Sequence, residues 1–186
     1  MAALAREPSS LSGLEYSEVT KGDVMDLQAV RRVVAGSAAV LSAIGRRRDS
    51  PIDMMTVASV NMITAMREQH VERLVVLSNT AVKDAHDRPS FVHRVIRGIL
   101  PSMNSSLVRD SLAAARVVAD SNLDWTIVRA PLLTDGPRTG RYHVGPLTGD
   151  IPVRVSRADV AEFMLACVLE GKFSRESPAI GSSGLT

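Results

Sequence analysis

Three short runs of apolar residues, rich in β-branched side chains, recur along the chain. They lie at 38–44, 73–78 and 125–129. The last run stops before Pro131, which cannot donate to a β-ladder. Longer segments with helical periodicity separate the runs, at 54–69 and 106–121. This alternation predicts a parallel α/β sheet, a fold that binds ligands at the carboxyl ends of its strands.

Weaker patterns predict the remaining elements. Asp26 is placed to cap a helix over 27–35 that ends at Gly36, and Ser156 with Asp159 forms a box-like cap for the last helix. The other predicted elements are strands at 2–5, 16–21 and 141–144, a short helix at 91–100 and a small-residue tail at 176–186.

Composition narrows the classes of function. The chain has 186 residues, which suits a single domain, and only 3% are aromatic, so the core is expected to be aliphatic. A net charge of +2 argues against a nucleic-acid-binding surface. Cys167 is the sole cysteine, which excludes an internal disulfide and suits a reducing compartment. No apolar run approaches the ~20 residues of a membrane span, and the first residues lack a signal-peptide core. A cytoplasmic location is expected, unless a longer N-terminus carries a targeting segment.

The order and spacing of several motifs together resemble one known family. The motifs are Gly-Asp-Val at 22–24, Val-Ala-Gly at 34–36, Ser-Ala-Ile-Gly at 42–45, Val-Val-Leu-Ser-Asn-Thr at 75–80, Trp-Thr-Ile-Val-Arg-Ala-Pro at 125–131, Thr-Gly-Arg-Tyr at 139–142 and Val-Ser-Arg-Ala-Asp-Val-Ala at 155–161. The chain resembles the NAD(P)H-binding branch of the atypical short-chain dehydrogenases, and within it the biliverdin reductase B (flavin reductase) type. The resemblance spans nearly the whole chain.

The resemblance implies a set of cofactor-binding residues, each with a plainer alternative. Arg6 would pair with the 2′-phosphate of NADP and favour NADP over NAD, although an exposed loop arginine fits the pattern too. Asp23 and Val24 would bind the adenine edge, whereas Asp23 is also typical of a turn that closes a strand. Two strand ends would contact the rest of the cofactor: Ala43, Ile44 and Gly45 near the ribose or pyrophosphate, and Pro131, Leu132 and Leu133 beside the nicotinamide. The plainer alternative is that these residues only form turns that end their strands.

Ser78 and Thr80 are the candidate catalytic residues, with Asn79 between them as a further cofactor contact. Their hydroxyls would orient the nicotinamide or donate to a substrate carbonyl, although capping or a loop hydrogen bond accounts for Thr80 equally well. The Tyr-x-x-x-Lys pair of classical members is absent, since the helix where it would fall has Ser-Leu-Ala-Ala-Ala-Arg at 111–116. Solvent would then supply the proton, which flavins or quinones tolerate and ordinary ketones do not. The histidines show no metal-ligand spacing, so no metal site is expected.

A chain of this family normally begins with a strand, a Gly-x-x-Gly-x-x-Gly turn and a helix, which are not found before the predicted strand at 2–5. The expected fold is therefore α/β, a Rossmann-like doubly wound parallel sheet missing its first βα unit, in one domain over 1–186. The missing strand would be central, and its turn and helix would hold the pyrophosphate. Three explanations stay open. The biological protein is longer, the chain is a degenerate member that binds cofactor weakly or not at all, or the gap is closed by direct strand pairing or by a partner.

Two classes of function follow. The leading one is a reductase-type protein that passes a hydride from NADP(H), or NAD(H), to a readily reduced planar small molecule. The alternative is a non-catalytic redox sensor or scaffold like the NmrA-type regulators, which keep the fold without the Tyr/Lys pair, or a degenerate fragment. A monomer or weak homodimer is expected, with neither nucleic acid nor membrane as a partner.

Overall fold

Strands and helices alternate along most of the chain, as expected. The computed structural model describes residues 1–11, 17–47, 49–95 and 105–182. Its strands are β1 (Ala2–Ala5), β2 (Glu18–Lys21), β3 (Ala39–Ser42), β4 (Arg73–Asn79), β5 (Asp124–Ala130), β6 (Leu132–Thr134), β7 (His143–Gly145), β8 (Arg154–Ser156) and β9 (Ala179–Gly181). Its helices are α1 (Leu27–Val34), α2 (Met54–Glu68), α3 (Ser105–Ala119) and α4 (Arg157–Leu169).

Five strands form the main sheet, in the order β3-β4-β5-β9-β7. Neighbours are parallel except β7, which runs antiparallel to β9. Strands β4 and β5 pair along their whole length, from Arg73 with Asp124 to Asn79 with Ala130. Because β3, β4 and β5 run in the same direction, their carboxyl ends lie side by side at one edge of the sheet.

Helices cover both faces of this sheet. On one face, Leu74 packs in a cluster with apolar side chains of α1, α2 and α3. On the opposite face, Val75 and Val128 pack with Phe163 and Met164 of α4. Successive side chains of a strand point to opposite faces, so this division makes the sheet doubly wound. The predicted α/β, Rossmann-like fold class is confirmed.

The predicted helix signals are confirmed where local chemistry specified them. Asp26 caps α1 by accepting a hydrogen bond from the Gln28 amide at 2.9 Å. Ser156 caps α4 by accepting from the Asp159 amide at 3.0 Å. Gly36 follows α1 with a φ of +70°, the left-handed conformation that favours glycine at a helix end.

The sheet is interrupted between β1 and β3. Strand β1 pairs in parallel with β2 as a separate two-stranded sheet, and no described strand pairs with the other edge of β1 or of β3. Direct pairing of β1 with β3, one of the explanations above, is therefore not observed. Leu41 in β3 is 40% exposed although its register partner Val75 is fully buried, so the covering of that face stops at β3. On the other face, Leu4 and Val40 meet the same cluster around α1.

The C-terminal segment differs from the prediction. Residues 179–181 were expected in a tail but form β9, with Ala179 in register with Arg129 of β5. Strands β6 and β8 form a parallel pair that the sequence did not predict. The strand expected at 141–144 lies at His143–Gly145. The predicted helix at 91–100 is a helical turn at 91–95, and its remainder lies outside the described residues, as does the start of the strand predicted at 16–21.

Candidate functional site

Three predicted site segments lie at the same edge of the main sheet. Residues 43–45 follow β3, Thr80 follows β4, and Pro131 follows β5. These strands are consecutive parallel neighbours, and Asn79 is the register partner of Ala130, which places the turn after β4 beside the turn after β5. The structure thus groups the predicted residues Ala43, Ile44, Gly45, Ser78, Asn79, Thr80, Pro131, Leu132 and Leu133. A Cβ at Gly45 would meet no atom within 4 Å, so packing within the protein does not require glycine there.

The other predicted cofactor residues lie at the carboxyl ends of the two-stranded sheet. Arg6 follows β1 and is exposed, and Asp23 and Val24 follow β2. The Met25 amide donates to Asp23 Oδ1 at 2.9 Å, so Asp23 does form the turn that was its plainer interpretation. Asn61 of α2 donates to the carbonyl oxygens of Val24 and Met25, both at 3.0 Å, and so fixes this turn against α2.

Four serine residues line a small cavity between β3, β4 and the helices α2 and α3. Ile44 and several core side chains line it together with Ser42, Ser59, Ser78 and Ser111. Its volume of about 20 Å³ suits one water molecule rather than a planar ring. Sequence reasoning identified Ser78 but missed the other serines, because Ser59 and Ser111 come from separate helices and no local pattern relates them.

Thr80 is enclosed in the turn after β4. The residue is 3% exposed, and the turn is closed by the Ala81 amide, which donates to Asn79 Oδ1 at 2.9 Å. Ser78 is half-buried and lines the cavity. Ser78 and Asn79 are therefore more accessible at the strand end than Thr80.

The N-termini of three described helices are capped by the chain's own side chains. Asp26 and Ser156 cap α1 and α4 as described above. At α2 the cap comes from α3, because Asp110 accepts hydrogen bonds from the amides of Met55 at 2.9 Å and Thr56 at 3.0 Å. A helix N-terminus commonly binds phosphate, and here each of these three already has a polar side chain on its first turn.

A buried arginine organises the region behind the turn after β4. Arg129 of β5 is fully buried and forms a bidentate ion pair with Asp87, at 2.8 and 2.9 Å. It also donates to the carbonyl oxygens of Val82 and Ser177. Burial raises the pKa of Asp87, but hydrogen bonds from Arg129 and from the Leu147 and Asp84 amides outweigh it and hold that pKa at about 2. The signal in the sequence was one arginine inside an otherwise buried strand.

Among the residues that the structure describes, the remaining titratable groups point to neither a reactive thiol nor a metal site. Burial raises the pKa of the Cys167 thiol to about 11, so this buried cysteine is not a reactive thiol at neutral pH. Within the described ranges, no group of three His, Cys, Asp or Glu side chains has the arrangement of a metal site. No helix there combines the length and the apolar character needed to cross a membrane.

A larger concavity, of about 760 Å³, lies at the opposite edge of the sheet, by the amino ends of β4 and β5. Its two arginines are already engaged: Arg67 donates to the Ser121 carbonyl at 2.7 Å, and Arg175 to the Asn122 carbonyl at 3.1 Å. Both acceptors lie in the turn that follows α3. The concavity is open and lined by charges of both signs, and parallel α/β sheets bind ligands at the other edge.

The doubly wound parallel sheet, with its grouped strand-end segments, defines a nucleotide-binding type of α/β protein. A family model described as NAD(P)H-binding matches residues 1–170. The chain therefore belongs to this NAD(P)H-binding family.

Solved structures support the same fold. The anaerobillin reductase ChuY from Escherichia coli O157:H7 is 19% identical and superposes with a TM-score of 0.77, over 100% of this chain and 85% of that chain. A short-chain dehydrogenase/reductase from Veillonella parvula DSM 2008, in complex with NADP, is 17% identical with a TM-score of 0.75, over 98% and 82%. A Rossmann-fold NAD(P)-binding protein from Shigella flexneri is 19% identical with a TM-score of 0.74, over 98% and 80%. At these identities the likeness concerns the fold.

Proposed function

We propose that the chain binds NADP(H), or NAD(H), across the carboxyl edges of its two sheets and acts as a reductase on a readily reduced planar small molecule. The observation that carries the proposal is the grouping of residues 43–45, 78–80 and 131–133 at one edge of a sheet of the NAD(P)H-binding family. The bound cofactor would supply the hydride.

The residues fit the two ends of a dinucleotide better than its middle. Asp23 and Val24 would hold the adenine, and Arg6 is exposed where a 2′-phosphate would lie. Residues 43–45 and 131–133 would flank the ribose and the nicotinamide. With the first turns of α1, α2 and α4 capped, the pyrophosphate would depend on other groups.

The hydroxyl groups at the site are weak acids, so they favour an acceptor whose reduction needs little help from a general acid. In α3, Ser111 is buried and donates to the Leu107 carbonyl oxygen at 2.9 Å, so the helix offers no strong acid at that position. Ser78 would orient the acceptor and solvent would deliver the proton. Flavins, quinones and linear tetrapyrroles are acceptors of this type, and one of the proteins that shares the fold is described as an anaerobillin reductase.

A sensor or scaffold is the second candidate. The lack of a Tyr/Lys pair favours it, because this fits a protein that binds a nucleotide without turning it over. Binding without turnover supports the sensor, turnover supports the reductase, and neither supports a degenerate chain. In each case we expect a monomer or weak homodimer.

The test is a titration with NADPH and NADH by calorimetry, followed by NADPH oxidation with FMN, a quinone or a bilin as acceptor. Arg6→Gln should weaken NADPH binding about tenfold and leave NADH binding unchanged, since one lost charge pair is worth about 1.4 kcal/mol. Arg32→Gln, an exposed arginine of α1, is the matched control. Equal effects of both variants on NADPH would refute the role of Arg6, and no binding of either nucleotide would refute the proposed function.

A further inference from the structure

A buried ion pair and several hydrogen bonds hold the segment that follows Ser78 and Thr80. The chain runs from Thr80 into residues 81–90, here called the 81–90 segment, which has little regular structure of its own. Arg129 lies in β5 directly beside Ser78, its register partner in β4. From there its guanidinium donates to the Val82 carbonyl oxygen and to both carboxylate oxygens of Asp87.

Further contacts join this segment to two distant parts of the chain. Asp87 accepts from the Leu147 amide at 2.9 Å, and the Arg88 amide donates to the Leu147 carbonyl oxygen at 2.9 Å. Ser177 Oγ donates to Asp84 at 2.8 Å, and the Ser177 carbonyl accepts from Arg129. The 81–90 segment is thus held between β5, the loop at Leu147 and the start of β9.

We infer that Arg129 and Asp87 are a positioning pair that fixes the 81–90 segment as a rigid wall on the acceptor side of the site. The acceptor-side part of this inference rests on the proposed function. Arg129 and Asp87 hydrogen-bond within the 81–90 segment and to residues 147 and 177, none of which is a predicted nucleotide contact. Loss of the pair should therefore change how the acceptor binds and leave nucleotide binding nearly unchanged.

The chain offers a matched control. Arg73 is also a buried arginine, and it lies at the other end of β4, where it donates to Thr126 Oγ1 and to the carbonyl oxygens of Cys167 and Lys172. Truncation of either arginine leaves buried acceptors without their donor, and both variants should be destabilised. The Arg73 contacts are at the amino edge of the sheet, so this variant should not affect the 81–90 segment.

The first experiment is limited proteolysis of the native protein with trypsin, because Lys83 is exposed within the segment. Arg88 is exposed too but precedes Pro89, and trypsin does not cut an Arg–Pro bond. Arg129→Met should speed cleavage after Lys83 by roughly tenfold, since local opening sets the rate of cleavage. Arg73→Met should leave it within about twofold of wild type even where its thermal midpoint falls as far. Arg129→Lys should restore part of the protection, and Ser177→Ala, a milder change, should give a smaller acceleration.

The second experiment separates binding steps. In Arg129→Met the KM for the acceptor should rise about tenfold while the Kd for NADPH stays within about twofold. Cleavage of Arg129→Met at the wild-type rate, or equal acceleration in Arg73→Met, would overturn the inference. If the wild-type protein binds no nucleotide, the proposed function fails, and the proteolysis comparison still decides whether Arg129 fixes the segment. Should Arg129→Met not fold, Arg129→Lys and Ser177→Ala carry the same comparison.

Discussion

Removal of the Asp110 carboxylate should destabilise α2 although Asp110 belongs to α3. Asp110 is 5% exposed, and its carboxylate accepts from the amides of Met55 and Thr56 and from Thr56 Oγ1 at 2.7 Å. Asp53, the residue at the N-cap position of α2, makes no side-chain capping bond. The first turn of α2 therefore depends on a residue far away in the sequence.

The expected loss follows from these contacts. A missing N-cap costs about 0.5–2 kcal/mol, and a negative charge near a partly buried helix N-terminus adds up to about 2 kcal/mol. Asp110→Ala should thus lower the free energy of unfolding by about 3 kcal/mol, or roughly 6–12 °C in the thermal midpoint for a chain of this size. Asp110→Asn keeps the shape without the charge and should lose about half as much.

Urea unfolding followed by circular dichroism measures this loss, with Asp120→Ala, an exposed residue just after α3, as the control. Formate supplies a second readout. In Asp110→Ala the two freed amides face a space the size of a carboxylate, so formate should stabilise this variant more than the wild type. A variant within about 0.5 kcal/mol of wild type would refute the capping argument.

Three further outcomes follow from other parts of the structure. The pKa of Asp87 is lowered from 3.8 to about 2, so its contribution of about 2 kcal/mol is complete above pH ~4 and is lost as the pH falls towards 2. Acid unfolding should therefore be less steep in Asp87→Asn. Amides on the unpaired edges of β1 and β3 should exchange hydrogen much faster than those of β4. Equal protection of these amides, measured by NMR, would contradict the interruption of the sheet. Leu41→Thr should change the free energy of unfolding by less than about 0.5 kcal/mol, because Leu41 is 40% exposed. Val75→Ala, on the same face, should lower it by about 2 kcal/mol, because Val75 is fully buried. Thermal unfolding of both variants tests this difference.

Much of the fold could be predicted because the information was local. The buried strands β4 and β5 are continuous apolar runs, and such runs predict strands without reference to the rest of the chain. The caps at Asp26 and Ser156 depend on residues two or three positions away. By contrast, β9 is a three-residue strand, and its place comes from its register with Arg129 rather than from a pattern of its own.

The contacts that organise the site were harder to predict from the sequence, because they join residues that are far apart in the chain. The sequence predicted which strand ends meet, because topology follows from the alternation of strands and helices. It did not predict that Asp110 caps α2 or that Asp87 pairs with Arg129, since these partners lie more than forty residues apart and only packing brings them together. Buried polar residues must find partners, so an arginine or aspartate in an apolar pattern predicts a contact without naming its partner.

Because the sheet is interrupted, the proposed nucleotide site is divided between the β1–β2 sheet and the main sheet. Arg6, Asp23 and Val24 belong to the β1–β2 sheet, and the other predicted contacts belong to the main sheet. No backbone ladder among the described residues joins the two. They are connected through side chains around α1, where Leu4 and Val40 share one cluster, and through Asn61 of α2, which donates to the carbonyl oxygens of Val24 and Met25. A dinucleotide that spans both edges would add a link where no strand ladder exists. A ligand stabilises the state that it binds, so nucleotide binding should favour one fixed arrangement of the two sheets. Part of the binding free energy would be offset by the entropy lost when that arrangement is fixed.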